Sequence, residues 1–180
     1  AQERGREVIE AGAGIVAEIA GMNLTDLERL CSLIGEPDAR LRAMVRKQEP
    51  VLLEIPGCAE LSAAKIIAET AGIERFATES KFAMFAGCAP IPVWSGNTAG
   101  RVRMTRSGNR QLNTALHRIA ITQIRCHNSL GRVYYDKKIA EGKTTREALR
   151  CLKRKLVPTV FKHLVADHHA RTTPAEKAAA

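Results

Sequence analysis

Asn109-Arg110-Gln111-Leu112-Asn113-Thr114-Ala115-Leu116-His117-Arg118-Ile119-Ala120-Ile121-Thr122-Gln123-Ile124-Arg125-Cys126-His127 is the stretch that decides the fold. Leu112, Leu116, Ile119 and Ile124 recur at near-helical spacing, with arginines interleaved between them. A helix from Asn109 to about His127 is predicted, with one apolar and one basic face. Val133 and Leu149 continue the interleaving, so the cations around them belong to a folded surface rather than a tail.

Charge along the chain separates the same region from the rest. Residues 101–165 carry 16 basic and 3 acidic side chains, a net +13, whereas residues 1–50 and 51–100 are each at −2 and residues 166–180 are neutral. A surface this one-sided attracts polyanions, and nucleic acid is the commonest of them in the cytosol. A solvated helix surface without a partner would carry mixed signs.

The whole chain has 180 residues, 45% of them hydrophobic, and a net charge of +9, enough apolar content for one or two small domains and a poor match to an acidic small-molecule enzyme. Aromatics make up only 4%, too few for a reader of single strands built on stacked rings. Neither an apolar run long enough to span a membrane nor a secretory signal is visible, and a cytoplasmic location without membrane contact is expected. Five cysteines, Cys31, Cys58, Cys88, Cys126 and Cys151, never form a CxxC pair. They read as buried free thiols rather than disulfides or zinc ligands. His163 and Asp167-His168-His169 match no zinc signature, so no metal site is expected in this chain.

Helical patterns dominate on both sides of the opening stretch. Residues 3–20 form an alanine-rich helix pattern; Thr25 with Glu28 has capping-box spacing for a short helix ending near Gly35; Pro37 and Asp38 suit the first turn of a longer helix that is interrupted or bent at Pro50. Together residues 1–50 read as a helical arm or coiled-coil piece. Leu52 to Ala63 reads as helix, Pro56-Gly57 turn and second helix, which resembles a helix-hairpin-helix element. There a glycine lets backbone amides approach a phosphate at a helix N-terminus, although Ala59 and Glu60 depart from the pattern; a plain interhelical turn fits equally. Phe76, Phe82 and Phe85 fall on one apolar face and read as core. From Ala89 to Arg110 prolines, glycines and four arginines form a loop or short β-hairpin near 91–107, with a turn at Asn97 to Gly100. Tyr134 and Tyr135 lie on a short helix stopping near Gly142. Thr144 with Glu147 caps a last helix, kinked or broken at Pro158, and residues 167–180 read as a frayed tail. The predicted fold class is therefore mainly α.

Five separated motifs add a family resemblance. Ile55-Pro56-Gly57, Phe85-Ala86-Gly87-Cys88-Ala89-Pro90, Ser95-Gly96, Met104-Thr105-Arg106-Ser107-Gly108-Asn109, and Tyr134-Tyr135 with Gly142-Lys143 resemble the C-terminal transposase domain of the IS110/IS1111/IS116/IS902 insertion-sequence transposases. The likeness covers roughly residues 50–165, and the domain is expected over 51–166. It implies DNA transposition and recombination with a serine nucleophile, assisted by Mg2+-binding carboxylates of an N-terminal RuvC-like domain. That N-terminal domain is not expected in this chain, which starts at Ala1 and reads as a piece of a longer protein, expected to be inactive alone.

The resemblance places the nucleophile at Ser95, followed by Gly96. A hydroxyl on an accessible loop can attack a phosphodiester, with Arg101, Arg103 or Arg106 stabilising the added charge. Ser107 is the rival, also preceding a glycine between arginines. The family pattern has a basic residue there, so Ser107 and Thr105 read instead as helix caps or phosphate contacts beside Asn109 and Arg110. Gly57, Gly96, Arg101, Arg103, Arg106, Ser107, Asn109 and Arg110 form the expected nucleic-acid-binding set. The expected partners are DNA, a structured guide RNA as in some members of the family, and a second copy through the helical arm. The competing function is a non-catalytic helix-hairpin-helix nucleic-acid-binding module or a decayed transposase remnant.

Overall fold

The computed structural model describes residues 14–93, 95–98, 100, 102–104 and 107–178. Among these residues lie six α-helices and one two-stranded antiparallel sheet, the mainly α class that the periodicity predicts. The chain divides into two compact units, residues 1–44 and 45–180.

The first unit lies on α1 (Ile15–Gln48), one continuous helix where capping and proline signals predict separate pieces. The Thr25 hydroxyl donates to the Gly21 carbonyl four residues back, so Thr25 is an internal residue and not a cap. Pro37 also lies inside the helix. A proline removes the hydrogen bond of its own missing amide and crowds the carbonyl of Leu33 four residues back, and the Leu-, Arg- and Ala-containing flanks carry the helix across this defect. Just beyond it, Arg42 pairs with Asp38 at 2.8 Å, an i,i+4 pair worth about 0.3 kcal/mol. Leu27, Leu30, Ile34, Leu41 and Met44 are exposed along this helix.

In the second unit the last turn of α1 ends where Glu49 takes a left-handed φ of 45° and Pro50 follows in extended conformation. A 3-10 turn, Val51–Glu54, leads to α2 (Glu60–Thr70). The first arm of the predicted helix-hairpin-helix is therefore a single short turn. Its length is set by its prolines: Pro50 starts it, and Pro56 forces Ile55 into extended backbone. The Cys58 amide donates to the Ile55 carbonyl at 2.8 Å, closing a turn with Pro56 second and Gly57, at φ 85°, third.

After a 3-10 turn at Ile73–Arg75 come α3 (Glu79–Phe85), β1 (Pro90–Pro92), β2 (Val102–Met104), α4 (Arg110–Arg125), α5 (Leu130–Ala140) and α6 (Thr145–Ala178). The opening stretch of the sequence becomes α4, which packs against α2, α5 and α6. Leu112, Ala115, Leu116, Ile119 and Ala120 on its inner face are fully buried with Leu52, Ile66, Phe82, Leu152, Val157 and Val160. Each large aliphatic residue in this set contributes about 1.5–3 kcal/mol by leaving water. Phe82 contacts both Phe76 and Phe161, and Phe76 contacts Phe85, which agrees with the core reading of these rings.

Local signals place several ends where the sequence puts them. The amides of Gly142 and Lys143 reach back to the carbonyls of Ile139 and Lys138, terminating α5. Thr144 and Glu147 make the reciprocal bonds of a capping box at the start of α6. That helix then runs unbroken through Pro158, so the break allowed for there does not occur. Val157, Val160 and Leu164 are buried around the proline, and this burial offsets a cost of about 3 kcal/mol. The helix continues to Ala178, and the first residue of the predicted tail is anchored. Asp167 is buried, and its carboxylate accepts the Val51 amide at 3.0 Å. All five cysteines are free thiols; Cys58 and Cys88 are buried as expected, but Cys31 and Cys126 are exposed and Cys151 is half-buried.

Candidate functional site

The β1–β2 hairpin is built from its base upward. Pro90, Ile91 and Pro92 pair with Met104, Arg103 and Val102 in antiparallel register. Ser95 and a 3-10 turn at Gly96–Thr98 lie in the connection. This matches the predicted short hairpin. Neither proline of β1 can donate to a ladder, so the strand depends on how its base is held.

Three devices hold it. At the end of α3, Gly87 takes φ 65°, and the Gly87 and Cys88 amides return to the carbonyls of Met84 and Ala83. Gly108 then crosses Gly87 so closely that a Cβ on Gly108 would lie 2.8 Å from the Cα and N of Gly87. The Asn109 amide closes the crossing by donating to the Phe85 carbonyl at 2.7 Å. From α4, the Asn113 amide group donates to the carbonyls of Ala86 at 2.8 Å and Gly87 at 3.2 Å. Its oxygen accepts from the Lys153 ammonium of α6. The hairpin thus rises from a base tied to three helices.

Asn109 is the cap of α4: its side-chain oxygen accepts the Leu112 amide at 2.9 Å, and its nitrogen donates to Glu69 of α2 at 2.6 Å. This corrects the reading of Ser107 as the cap; Ser107 lies two residues earlier and is exposed. Ser95 and Gly96 are exposed. Arg103 is exposed on β2, opposite Ile91, and Arg110 is exposed in the first turn of α4. Arg101, Thr105 and Arg106 lie outside the described residues. Gly57 is set apart from the hairpin: a Cβ there would meet Thr122 at 3.0 Å and the Ile119 carbonyl at 3.2 Å. Positive φ and close packing on α4 account for glycine at that position.

The cations divide into two groups. Arg132 with Asp136, Lys138 with Glu141, and Arg154 with Glu79 are paired within the fold. Arg110, Arg118 and Arg125 on α4 and Arg146, Arg150, Lys155 and Lys162 on α6 are exposed. These side chains give the second unit its polyanion-attracting field. Lys153 differs from both groups, because burial holds its pKa below the ordinary lysine value, which suits an internal prop better than a solvated contact. Burial also raises the Cys88 thiol and, with Lys153 nearby, lowers His117.

Among the described residues no three His, Cys, Asp or Glu side chains gather to hold a metal ion, so the Mg2+ implied by the resemblance finds no ligand set in them. Nor is any helix among them long and apolar enough to cross a membrane. Asn113, Lys153 and Glu69, which secure the hairpin, are absent from the sequence-based site. Both glycines of the crossing fall inside quoted motifs, but nothing local reveals that they meet.

Residues 49–136 match the transposase IS116/IS110/IS902 family. The chain is similar to the insertion element IS900 uncharacterized 42 kDa protein of Mycobacterium paratuberculosis, with 30% identity over 173 residues that cover 93% of this chain and 43% of that protein. It is also similar to the insertion element IS110 uncharacterized 43.6 kDa protein of Streptomyces coelicolor (strain ATCC BAA-471 / A3(2) / M145), with 31% identity over 128 residues, 69% of this chain and 31% of that protein. The chain spans less than half the length of these curated relatives.

Proposed function

This chain carries an IS110-family transposase domain, and from that premise we propose that its second unit holds DNA on the exposed cations of α4 and α6 and presents Ser95 as the nucleophile of transposition. The observation that carries this reading is the placement of an exposed serine on a short hairpin whose base is fastened by the Gly87–Gly108 crossing and by Asn113. A nucleophile must be held in place to gain from proximity, and a fastened hairpin does that better than a free loop.

In the proposed step the Ser95 oxygen forms a bond to a backbone phosphorus, and one bridging P–O bond of the strand breaks. The serine proton passes to a base, and the departing oxygen ends as a sugar hydroxyl. A serine hydroxyl is weak without such a base, so the step belongs to the intact protein of the insertion element. Arg101, Arg103 and Arg106 are proposed to stabilise the charge on the attacked phosphate, while Arg110 and Ser107 are assigned to neighbouring phosphates. Structured RNA from the element would be held by the same phosphate contacts, and the exposed apolar residues of α1 support pairing with a second copy.

The test is a denaturant-stable adduct between the intact protein and element-end DNA. Ser95→Ala should abolish it and leave noncovalent binding nearly unchanged, because one hydroxyl contributes few phosphate contacts. Ser107→Ala should retain it. Noncovalent binding with no adduct from the unsubstituted protein, under conditions that support strand exchange, would reduce the unit to a binding module.

A further inference from the structure

Beside the hairpin base lies a cleft of about 470 Å³, within the range of small-ligand sites. The Tyr134 ring, Pro90, Pro158 and the thiols of Cys88 and Cys151 give it apolar walls. Arg150, Lys155 and the Arg154–Glu79 pair line the remainder, so its cations exceed its acids by two. Lys138 lies 5.5 Å from the centre of the Tyr134 ring and steadies it by cation–π attraction. A neighbouring cavity of about 390 Å³ is a poorer match for an anion, with Glu54 in its lining and only Lys155 and His163 as basic groups.

Apolar walls, an aromatic ring and surplus positive charge together match a nucleobase attached to a phosphate. A base paired within a duplex cannot enter a cleft, whereas an unstacked one can lie against an aromatic ring and gain stacking energy. Cys88 lies just before β1 and Pro90 opens it, and β1 leads to the connection that holds Ser95, so an occupant of this cleft lies against the base of that hairpin. We infer that the cleft takes one unstacked nucleotide of the bound strand, with its base against Tyr134 and Pro158 and its phosphate at Arg150 and Lys155. This rests on the second unit binding nucleic acid, and it adds a site that grips a single nucleotide.

Cysteine footprinting tests it with the chain as it exists. Half-buried Cys151 lines the cleft, and exposed Cys31 in the first unit serves as the reference. Alkylation rates are followed with single-stranded DNA, fully paired duplex and deoxyadenosine monophosphate, while fluorescence anisotropy reports total binding. With single strand at ten times its Kd, Cys151 should react about tenfold more slowly and Cys31 at its original rate. Duplex should protect Cys151 less at equal occupancy. A strand carrying 5-iodouracil should photocrosslink to Tyr134. Tyr134→Ala should lose the protection and weaken single-strand binding by roughly five- to a hundredfold, and Tyr134→Phe should retain both. Binding by anisotropy with an unchanged Cys151 rate and crosslinks elsewhere would overturn the cleft while leaving the nucleic-acid reading intact. No binding of any DNA would overturn both. Equal protection by the free nucleotide and the strand at the same concentration would make this a free-nucleotide site and overturn the inference.

Discussion

Gly108→Ala tests the architecture that holds the hairpin. The new Cβ would lie 2.8 Å from two backbone atoms of Gly87 and 3.2 Å from the Phe85 carbonyl oxygen, none of which can rotate away. Normal carbon contacts begin near 3.5 Å, so the two segments must part by at least ~0.7 Å. That movement stretches the Asn109-to-Phe85 hydrogen bond, now 2.7 Å, beyond useful length. Overpacking costs about 1–3 kcal/mol and the lost hydrogen bond about 1 kcal/mol, giving about 2–4 kcal/mol in all and a fall in Tm of roughly 10 °C. Gly142→Ala is the matched control: it has φ 83° with open space around it, so it should cost only the left-handed penalty of about 1–2 kcal/mol. Urea and thermal unfolding of the two variants beside the unsubstituted chain measure the difference. If Gly108→Ala is no more destabilising than Gly142→Ala, the glycine crossing does not exist and the hairpin is not fastened as described.

Three further outcomes are expected. Ser129 caps α5 by accepting the Arg132 amide at 3.0 Å and donates to the Gln123 carbonyl, so Ser129→Ala should cost about 1–2 kcal/mol in urea unfolding. Burial pushes the Cys58 thiol up to about 12, so the folded state keeps a proton that the unfolded chain releases near pH 9. Stability should therefore fall as pH rises from about 9 towards 12, with a contribution of at most about 1.4 kcal/mol per pH unit that disappears in Cys58→Ala. Should six of the exposed cations on α4 and α6 contact phosphates, DNA affinity must fall by about 10³ between 50 and 200 mM salt; a flat response in anisotropy titrations would refute the interface.

The contrast between α4 and the hairpin base shows what the sequence reveals. The apolar face of α4, the Thr144–Glu147 box and the glycine end at Gly142 are local signals, and the structure follows each of them. Prolines have mixed outcomes: the interruption at Pro50 follows the sequence, whereas the break expected at Pro158 does not occur. Pro37 and Pro158 are accommodated inside long helices, whereas Pro50 and Pro56 shorten the arm between them to one 3-10 turn, and only packing and the length available decide between these outcomes. The cap of α4 was ambiguous among neighbouring polar residues until Glu69, on another helix, engaged Asn109. For the candidate site, the sequence located the exposed Ser95 hairpin, but the meeting of Gly87 with Gly108 and the Asn113–Lys153 prop are long-range contacts without a local signature.

The most direct test of the central claim is to map the covalent attachment itself. Adducts formed by the intact insertion-element protein on element-end DNA would be digested with nuclease and protease, and the peptide bearing the residual nucleotide sequenced by mass spectrometry. The account predicts that the nucleotide sits on the Ser95 oxygen, in the connection between β1 and β2. Attachment at Ser107, or at any residue outside the hairpin, would contradict it.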